Sequence, residues 1–224
     1  LTLSTGPDRP LLRAFATLAG GETLAWMSRL LGLAGAEELS ALAETAEPGA
    51  GGVRMLPYLS PAGERAPFVD PAARGALVGL TLDHSPAQLA RAAFEGMAAA
   101  VADCLAATGS PAREVRVCGG GARSALWCQL IADMTGAPVL RAPAGEAGAR
   151  GAAAFAASVL GDAPDLAAAA RRDETDFLRV EPDPRRGPAT TGALTLLREL
   201  RAASRDTWQL LASAADPTPG SSNA

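Results

Sequence analysis

The stretch "VCGGGARSALWCQLIADMTG", residues 117–136, sets three consecutive glycines where a short β-type run hands over to a helical pattern. A plain turn needs one glycine or two. Three bare positions let another group come close to the backbone, and the first amides of a helix, at the positive end of its dipole, favour an anion. The chemistry suggested is phosphate or nucleotide binding. Two familiar phosphate motifs do not fit. A P-loop needs a lysine after its second glycine, and the chain has no lysine; a dinucleotide fingerprint needs a third glycine where Ser124 stands, after Gly119 and Gly121. A tight turn with close helix–sheet packing explains the same residues equally well.

Other residues that could do chemistry are sparse. His84 is the sole histidine, and without a metal-binding companion it reads as structural or solvated. Cys104, Cys118 and Cys128 are odd in number and lack metal-type spacing, so they read as reduced thiols. Glu64 and Arg65, between a glycine and a proline, form either a surface ion pair of little weight or part of a cleft. Glu95 falls in mid-helix, where a buried network is one reading. Arg123 borders the glycine turn and reads as a solvated cation that could also neutralise phosphate. Asp8, in "TGPDRP", reads as a surface turn residue.

The elements that must position these groups alternate in type. "LTLST" reads as a strand. Leu24, Met27, Leu30 and Leu31 recur at helical spacing up to Gly32, and a second alanine-rich helix runs from about Glu37 to Glu47. "VRMLPYL" and "ALVGL" read as strands around an irregular, proline-rich loop. Ser85, Pro86 and Gln88 supply an N-cap, a proline at the first helical position and a capping-box partner. Leu89, Ala93, Met97, Val101 and Leu105 then follow on one face until Gly109. "EVRVC" is a strand, "SALWCQLIADMTG" a helix, "PVLRA" a strand and "EAGARGAAAFAASVLG" a helix. A last amphipathic helix spans about Thr191–Ala212 with Leu194, Leu197, Leu200, Trp208 and Leu211. This alternation predicts an α/β domain with a substantially parallel sheet over residues 1–213, followed by a disordered tail over 214–224.

Composition narrows the partners. Net charge is −4 over 224 residues, with no basic face, which argues against nucleic acid. No apolar run approaches the roughly 18 residues of a membrane span, and no secretory leader pattern opens the chain. A cytoplasmic protein is expected. The start at Leu1, in a strand already under way, suggests a portion of a longer protein.

"GALVGLTLDHSPAQLARAAFE", residues 75–95, resembles the second signature of the FGGY carbohydrate kinases. Gly75, Leu77, Gly79, Leu80, Gln88, Leu89, Ala92, Ala93, Phe94 and Glu95 meet its positions. "LPYLSPAGERAPFVDPAARG" is similar to the Leu-Pro-Tyr-Leu and Gly-Glu-Arg-x-Pro stretch of that family. "GGGARSALWCQLIADMTGAPV" is similar to its adenosine-site turn and helix, and "GEAGARGAAAFA" to the small-residue helix that follows.

The resemblance implies a ribonuclease-H-like domain of the actin-like ATPase superfamily, with a mixed, largely parallel sheet flanked by helices. It implies the C-terminal, nucleotide-binding domain of an enzyme whose N-terminal domain closes over ATP, Mg2+ and a sugar. Partners would be ATP or ADP, the sugar and that N-terminal domain; a homodimer is left open. By matching position, Gly120, Gly121 and Ala122 pack against the nucleotide, Ser124 and Ala125 lie toward adenine and ribose, and Gly79 lies near the phosphates. Ala125 lacks the polar side chain that some relatives direct at the base. Glu64 and Arg65 would face the cleft or the sugar. The catalytic aspartate of the family belongs to a segment upstream, so no catalytic residue is expected within this chain.

The loop "LSPAGERAPF" is nearer the xylulokinase branch, with its pentulose and tetritol relatives, than the glycerol kinases. The rival reading is a non-catalytic actin-like nucleotide-binding module that serves regulation or assembly; a small nucleotide-binding enzyme of another fold fits the signature poorly. Valine at Gly121 is expected to block nucleotide while leaving the fold largely intact, with a penalty of roughly 1 kcal/mol or more if the residue needs φ > 0.

Overall fold

The structure, a computed structural model, describes residues 2–4, 11–143, 147–171 and 176–215. Asp8 and residues 216–224 of the expected tail lie outside the described residues. The chain falls into two compact units, one of Leu1–Pro111 with Thr191–Ala224 and the other of Ala112–Thr190.

In the first unit β1 (Thr2–Ser4) pairs antiparallel with β2 (Leu11–Arg13), a strand the periodicity did not reveal. Helix α1 (Glu22–Leu30) buries Leu24 and Met27, one turn apart, while Leu30 is exposed. Helix α2 (Ala36–Glu44) buries Leu39 and Ala43, again on one stripe. Strands β3 (Arg54–Leu56) and β4 (Ala76–Val78) form an antiparallel pair.

Helix α3 (Pro86–Ala106) is the centre of this unit. Its start carries the expected capping box, in which the Ser85 amide donates to Gln88 Oε1 at 2.6 Å, and Pro86 opens the first turn. Every residue from Ala90 to Ala99 is buried, so the helix is enclosed all round at mid-length; Leu89, Val101 and Leu105 are only half-buried. Small side chains permit this. A Cβ at Gly96 would stand 2.5 Å from the Met55 carbonyl oxygen, so β3 crosses α3 where the helix has no side chain.

Two buried acids then tie other segments to α3. Glu95 Oε1 accepts from Arg91 Nε and from the Gly49 amide, each at 2.8 Å. Asp103 accepts from Arg198 Nε at 2.6 Å and from Arg201 Nη1, both on α7 (Gly187–Ala215). The Arg201 guanidinium lies 4.6 Å over the Phe68 ring, and Phe68 stacks parallel to Trp208 at 6.3 Å. Tyr58 meets both rings edge-on, at 5.1 and 5.8 Å. Leu197 and Trp208 are the buried members of the α7 stripe, while Leu211 is exposed.

The second unit holds a three-stranded sheet in the order β5 (Val115–Val117), β6 (Val139–Arg141), β7 (Leu178–Val180). β5 and β6 are parallel and β7 is antiparallel, which makes the sheet mixed; among the described residues β5–β6 is the one parallel pair. Helix α4 (Ala125–Thr135) packs on β6 with Leu126, Cys128, Leu130 and Ile131 buried, and Gly136 ends it in a left-handed conformation at φ 66°. Helices α5 (Ala147–Leu160) and α6 (Leu166–Arg171) pack on each other. Among the described residues no helix is long and apolar enough to cross a membrane.

Burial pushes the Tyr58 phenol up to about 12, with Arg201 beside it pulling the other way. Tyr58 is the single tyrosine, so phenolate absorbance reads it alone. The folded chain should titrate near 12 and the unfolded chain near 10. Because the unfolded state loses its proton first, stability should fall as pH rises between those values. A folded-state midpoint at the ordinary value would show that Tyr58 is not enclosed as described.

Candidate functional site

β5 runs out at Val117 and α4 begins at Ala125, and the seven residues between form the glycine corner. Its three glycines are there for three reasons. Gly119 has φ 75° and ψ −158°, a conformation that side-chain-bearing residues rarely adopt. Gly121 faces the Trp127 ring: a Cβ there would overlap the indole, with Cε3 at 2.6 Å and Cη2 at 3.0 Å. Gly120 is constrained by neither. Its φ is not positive and an added Cβ would meet no protein atom within 4 Å. Valine at 121 would therefore displace Trp127, so the expectation that the fold would tolerate it is corrected by this packing.

The corner is held from both ends. Ser124 Oγ accepts from the Trp127 amide at 3.1 Å, which caps α4. Arg141, at the end of β6, donates from Nε to the Ala122 carbonyl and from Nη2 to the Arg123 carbonyl at 2.7 Å. A guanidinium with two fixed donors suits two neighbouring carbonyls, and it fastens the turn to the sheet. Arg141 escaped the sequence reading because nothing local marks a strand-end arginine as a clamp.

Against this corner lies a cleft of about 460 Å³ lined by Gly119, Gly120, Ala122, Arg123, Arg141 and Asp176, among others. That volume is within the range of small-molecule sites. Of the residues matched to the nucleotide turn, Gly120 and Ala122 line it. Gly121 backs onto Trp127, Ser124 is engaged as the helix cap, and Ala125 is exposed in the first turn of α4. The charged side chains lining it are Arg123, Arg141 and Asp176, of which Asp176 had no signal in the sequence.

The remaining candidates belong to the first unit. Gly79 has φ 85°, and a Cβ there would stand 2.8 Å from the Gly52 carbonyl, so local conformation and packing both require glycine. Glu64 is 3% exposed. Its Oε1 accepts from the amides of Leu18 at 3.1 Å, Arg65 at 2.8 Å and Ala66 at 3.3 Å, and its backbone pairs with Asp70 through two 3.0 Å bonds. The surface ion-pair reading is thereby replaced: Glu64 is a buried organiser of the loop, and Arg65 is exposed on it. His84 braces the same unit. Its Nδ1 accepts from the Thr81 amide at 2.9 Å and its Nε2 lies 3.0 Å from the Gly51 carbonyl, in line with a structural role. Among the described residues no group of three acidic, thiol or imidazole side chains is arranged to hold a metal ion.

Residues 10–160 match the family model described as the FGGY family of carbohydrate kinases, C-terminal domain. The chain is 43% identical over 122 residues to xylulose kinase of Escherichia coli strain K12, covering 53% of this chain and 25% of that protein. It is 42% identical over 146 residues to glycerol kinase of Alkalilimnicola ehrlichii, covering 63% and 29%. The structure superimposes on ligand-bound xylulose kinase from Lactobacillus acidophilus with a TM-score of 0.77 and 25% identity, over 87% of this chain and 40% of that one. The chain thus spans well under half the length of the relatives it matches.

Glu64→Ala should lower stability by about 2 kcal/mol, because buried amides lose their acceptor. Glu64→Gln, which keeps one carbonyl oxygen, should recover much of that loss in urea denaturation. Equal stability of all three chains would remove Glu64 from its organising role.

Proposed function

This chain belongs to the FGGY family of carbohydrate kinases, and from that premise we propose that it is the nucleotide-binding half of an ATP-dependent kinase for a pentulose or a related sugar or polyol. The observation that carries the reading is Gly120. It is glycine for no conformational or internal packing reason, and it opens onto the cleft. Space kept free of protein at that point suits a ligand that comes into contact with the backbone. The similarity to xylulose kinase and to glycerol kinase supports a polyhydroxylated acceptor, and the "LSPAGERAPF" loop favours the pentulose side.

The residues present fit a nucleotide. When bound, ATP would supply the phosphoryl group. The chain's part is placement: Gly119 and Gly120 admit the ligand to the backbone, Arg141 keeps the turn in shape, and Ser124 sets the start of α4. A site prepared in this way loses little freedom on binding, and positioning is a large share of phosphoryl-transfer catalysis. Mg2+ does not find a ligand set among the described side chains. Metal binding, proton removal and most sugar contacts are assigned to the N-terminal domain of the full enzyme. The cytoplasm, with its ATP and reducing conditions, suits both the reaction and the three unpaired cysteines.

Replacing Gly120 by alanine should leave the melting temperature unchanged and weaken ADP binding about tenfold, the scale of overpacking a close contact. Gly121→Ala should instead destabilise the fold by about 1–3 kcal/mol through Trp127. Calorimetry with thermal melts separates the two, and undiminished ADP affinity in Gly120→Ala would refute the reading.

The 224-residue chain should bind nucleotide yet release no ADP from ATP with pentuloses, polyols or glycerol, because effects that act as a unit do not survive in part. Sugar-dependent turnover by this chain would overturn the two-half assignment.

A further inference from the structure

The turn that leads into β3 is held in an unfavourable conformation. Gly49, Ala50, Gly51 and Gly52 have φ of 89°, 51°, 62° and 98°, and Ala50 is the one non-glycine residue with positive φ among the described residues. Three side chains clamp it. Glu95 Oε1 accepts from the Gly49 amide at 2.8 Å, Arg54 Nη1 donates to the Gly49 carbonyl, and His84 Nε2 lies 3.0 Å from the Gly51 carbonyl. The other nitrogen of the His84 ring serves its own segment: Nδ1 lies 2.9 Å from the Thr81 amide and 3.0 Å from Thr81 Oγ1. These partners fix the state of the ring. A carbonyl only accepts, so Nε2 must carry hydrogen; an amide only donates, so Nδ1 must be bare. Only the neutral imidazole satisfies both.

We propose that His84 is a pH-sensitive latch between the 79–84 segment and the 49–52 turn. A proton taken from solvent onto Nδ1 uses the lone pair that Thr81 occupies, so the Thr81 side opens. Nε2 keeps its hydrogen, and the charged ring donates to the Gly51 carbonyl more strongly, so the turn stays held. Imidazole is the side chain whose charge ordinarily changes between about pH 5 and 8, which sets it apart from the other two clamps. The charged groups around it are Asp83 on its own segment, Glu47 and Arg54 on either side of the turn, and Arg91 and Glu95 on α3. Arg54 donates to the Gly49 and Val53 carbonyls, and Arg91 and Glu95 pair with each other at 2.8 Å. Asp83 and Glu47 are exposed, and among the described residues neither forms an ion pair with the ring. Hydrogen bonds therefore decide where the latch gives way. It stands whether or not the chain binds nucleotide.

His84 is the sole histidine, so the imidazole NMR resonances report it alone. The test titrates the isotopically labelled chain from about pH 8 to about pH 5. It follows the ring and the exchange protection of the Thr81 amide, corrected for the pH dependence of an unstructured peptide. At the start Nε2 should carry the hydrogen. As Nδ1 is protonated, Thr81 protection should fall about tenfold, the scale of one hydrogen bond, while the Gly52 and Val53 amides that close the turn keep theirs. His84→Asn keeps an acceptor near the Nδ1 position that does not titrate, so Thr81 protection should hold over the same range. In His84→Ala it should be low throughout. A hydrogen on Nδ1 at the start, Thr81 protection that persists while the ring gains its proton, or a Thr81 response that survives in His84→Asn would overturn the latch. Should neither variant fold, the titration of the unaltered chain alone decides.

Discussion

A strand can lie against the side of a helix only as closely as the intervening side chains allow, and at Gly96 there are none. The Met55 carbonyl occupies the place where a Cβ would be, so β3 and α3 meet backbone to backbone. The first unit is organised around that approach. Alanines on either side let other segments close over α3, and the helix is buried over a full ten residues. Burial on that scale leaves polar groups without water, and they must be paired. Glu95 meets this need by taking Arg91 and the Gly49 amide, and Asp103 by taking Arg198 and Arg201. The charges inside the unit therefore act as fasteners between segments distant in sequence.

The second unit applies the same economy of side chains to a different end. Its glycine corner uses one residue for a backbone conformation, one to accept an indole and one to leave a surface bare. Arg141 holds the carbonyls, so the amides and the helix terminus keep a fixed direction. A site of this type needs few charged groups of its own. It presents backbone and space.

The loop around Glu64 shows how a residue can matter to a site without chemistry. Three amide donors converge on one buried carboxylate oxygen, and the loop from Ser60 to Asp70 is folded about it. Arg65 is carried on that fixed loop, exposed, and its neighbour's carboxylate holds its backbone and not its guanidinium. An acid beside an arginine in sequence suggests an ion pair, but here adjacency and pairing part company.

Much of the architecture was legible from local rules. Ser85, Pro86 and Gln88 announce the start of α3, Gly136 the end of α4, and the order of strands and helices predicts an α/β fold, because caps and periodicities depend on near neighbours in the chain. The motif positions identified the family on the same footing. Tertiary structure decided the rest. β2, β7 and α6 are defined by the partners they meet, β1, β6 and α5, which local sequence does not name. The Leu89–Leu105 stripe marked one face of a helix that is in fact enclosed on all sides, since a sequence pattern cannot count the segments that will surround it. Above all, three identical glycines were indistinguishable in the sequence. Only the placement of Trp127 and of the open cleft separates the one that serves packing from the one that opens onto the cleft, because what a missing side chain makes room for is settled by whatever the fold brings beside it.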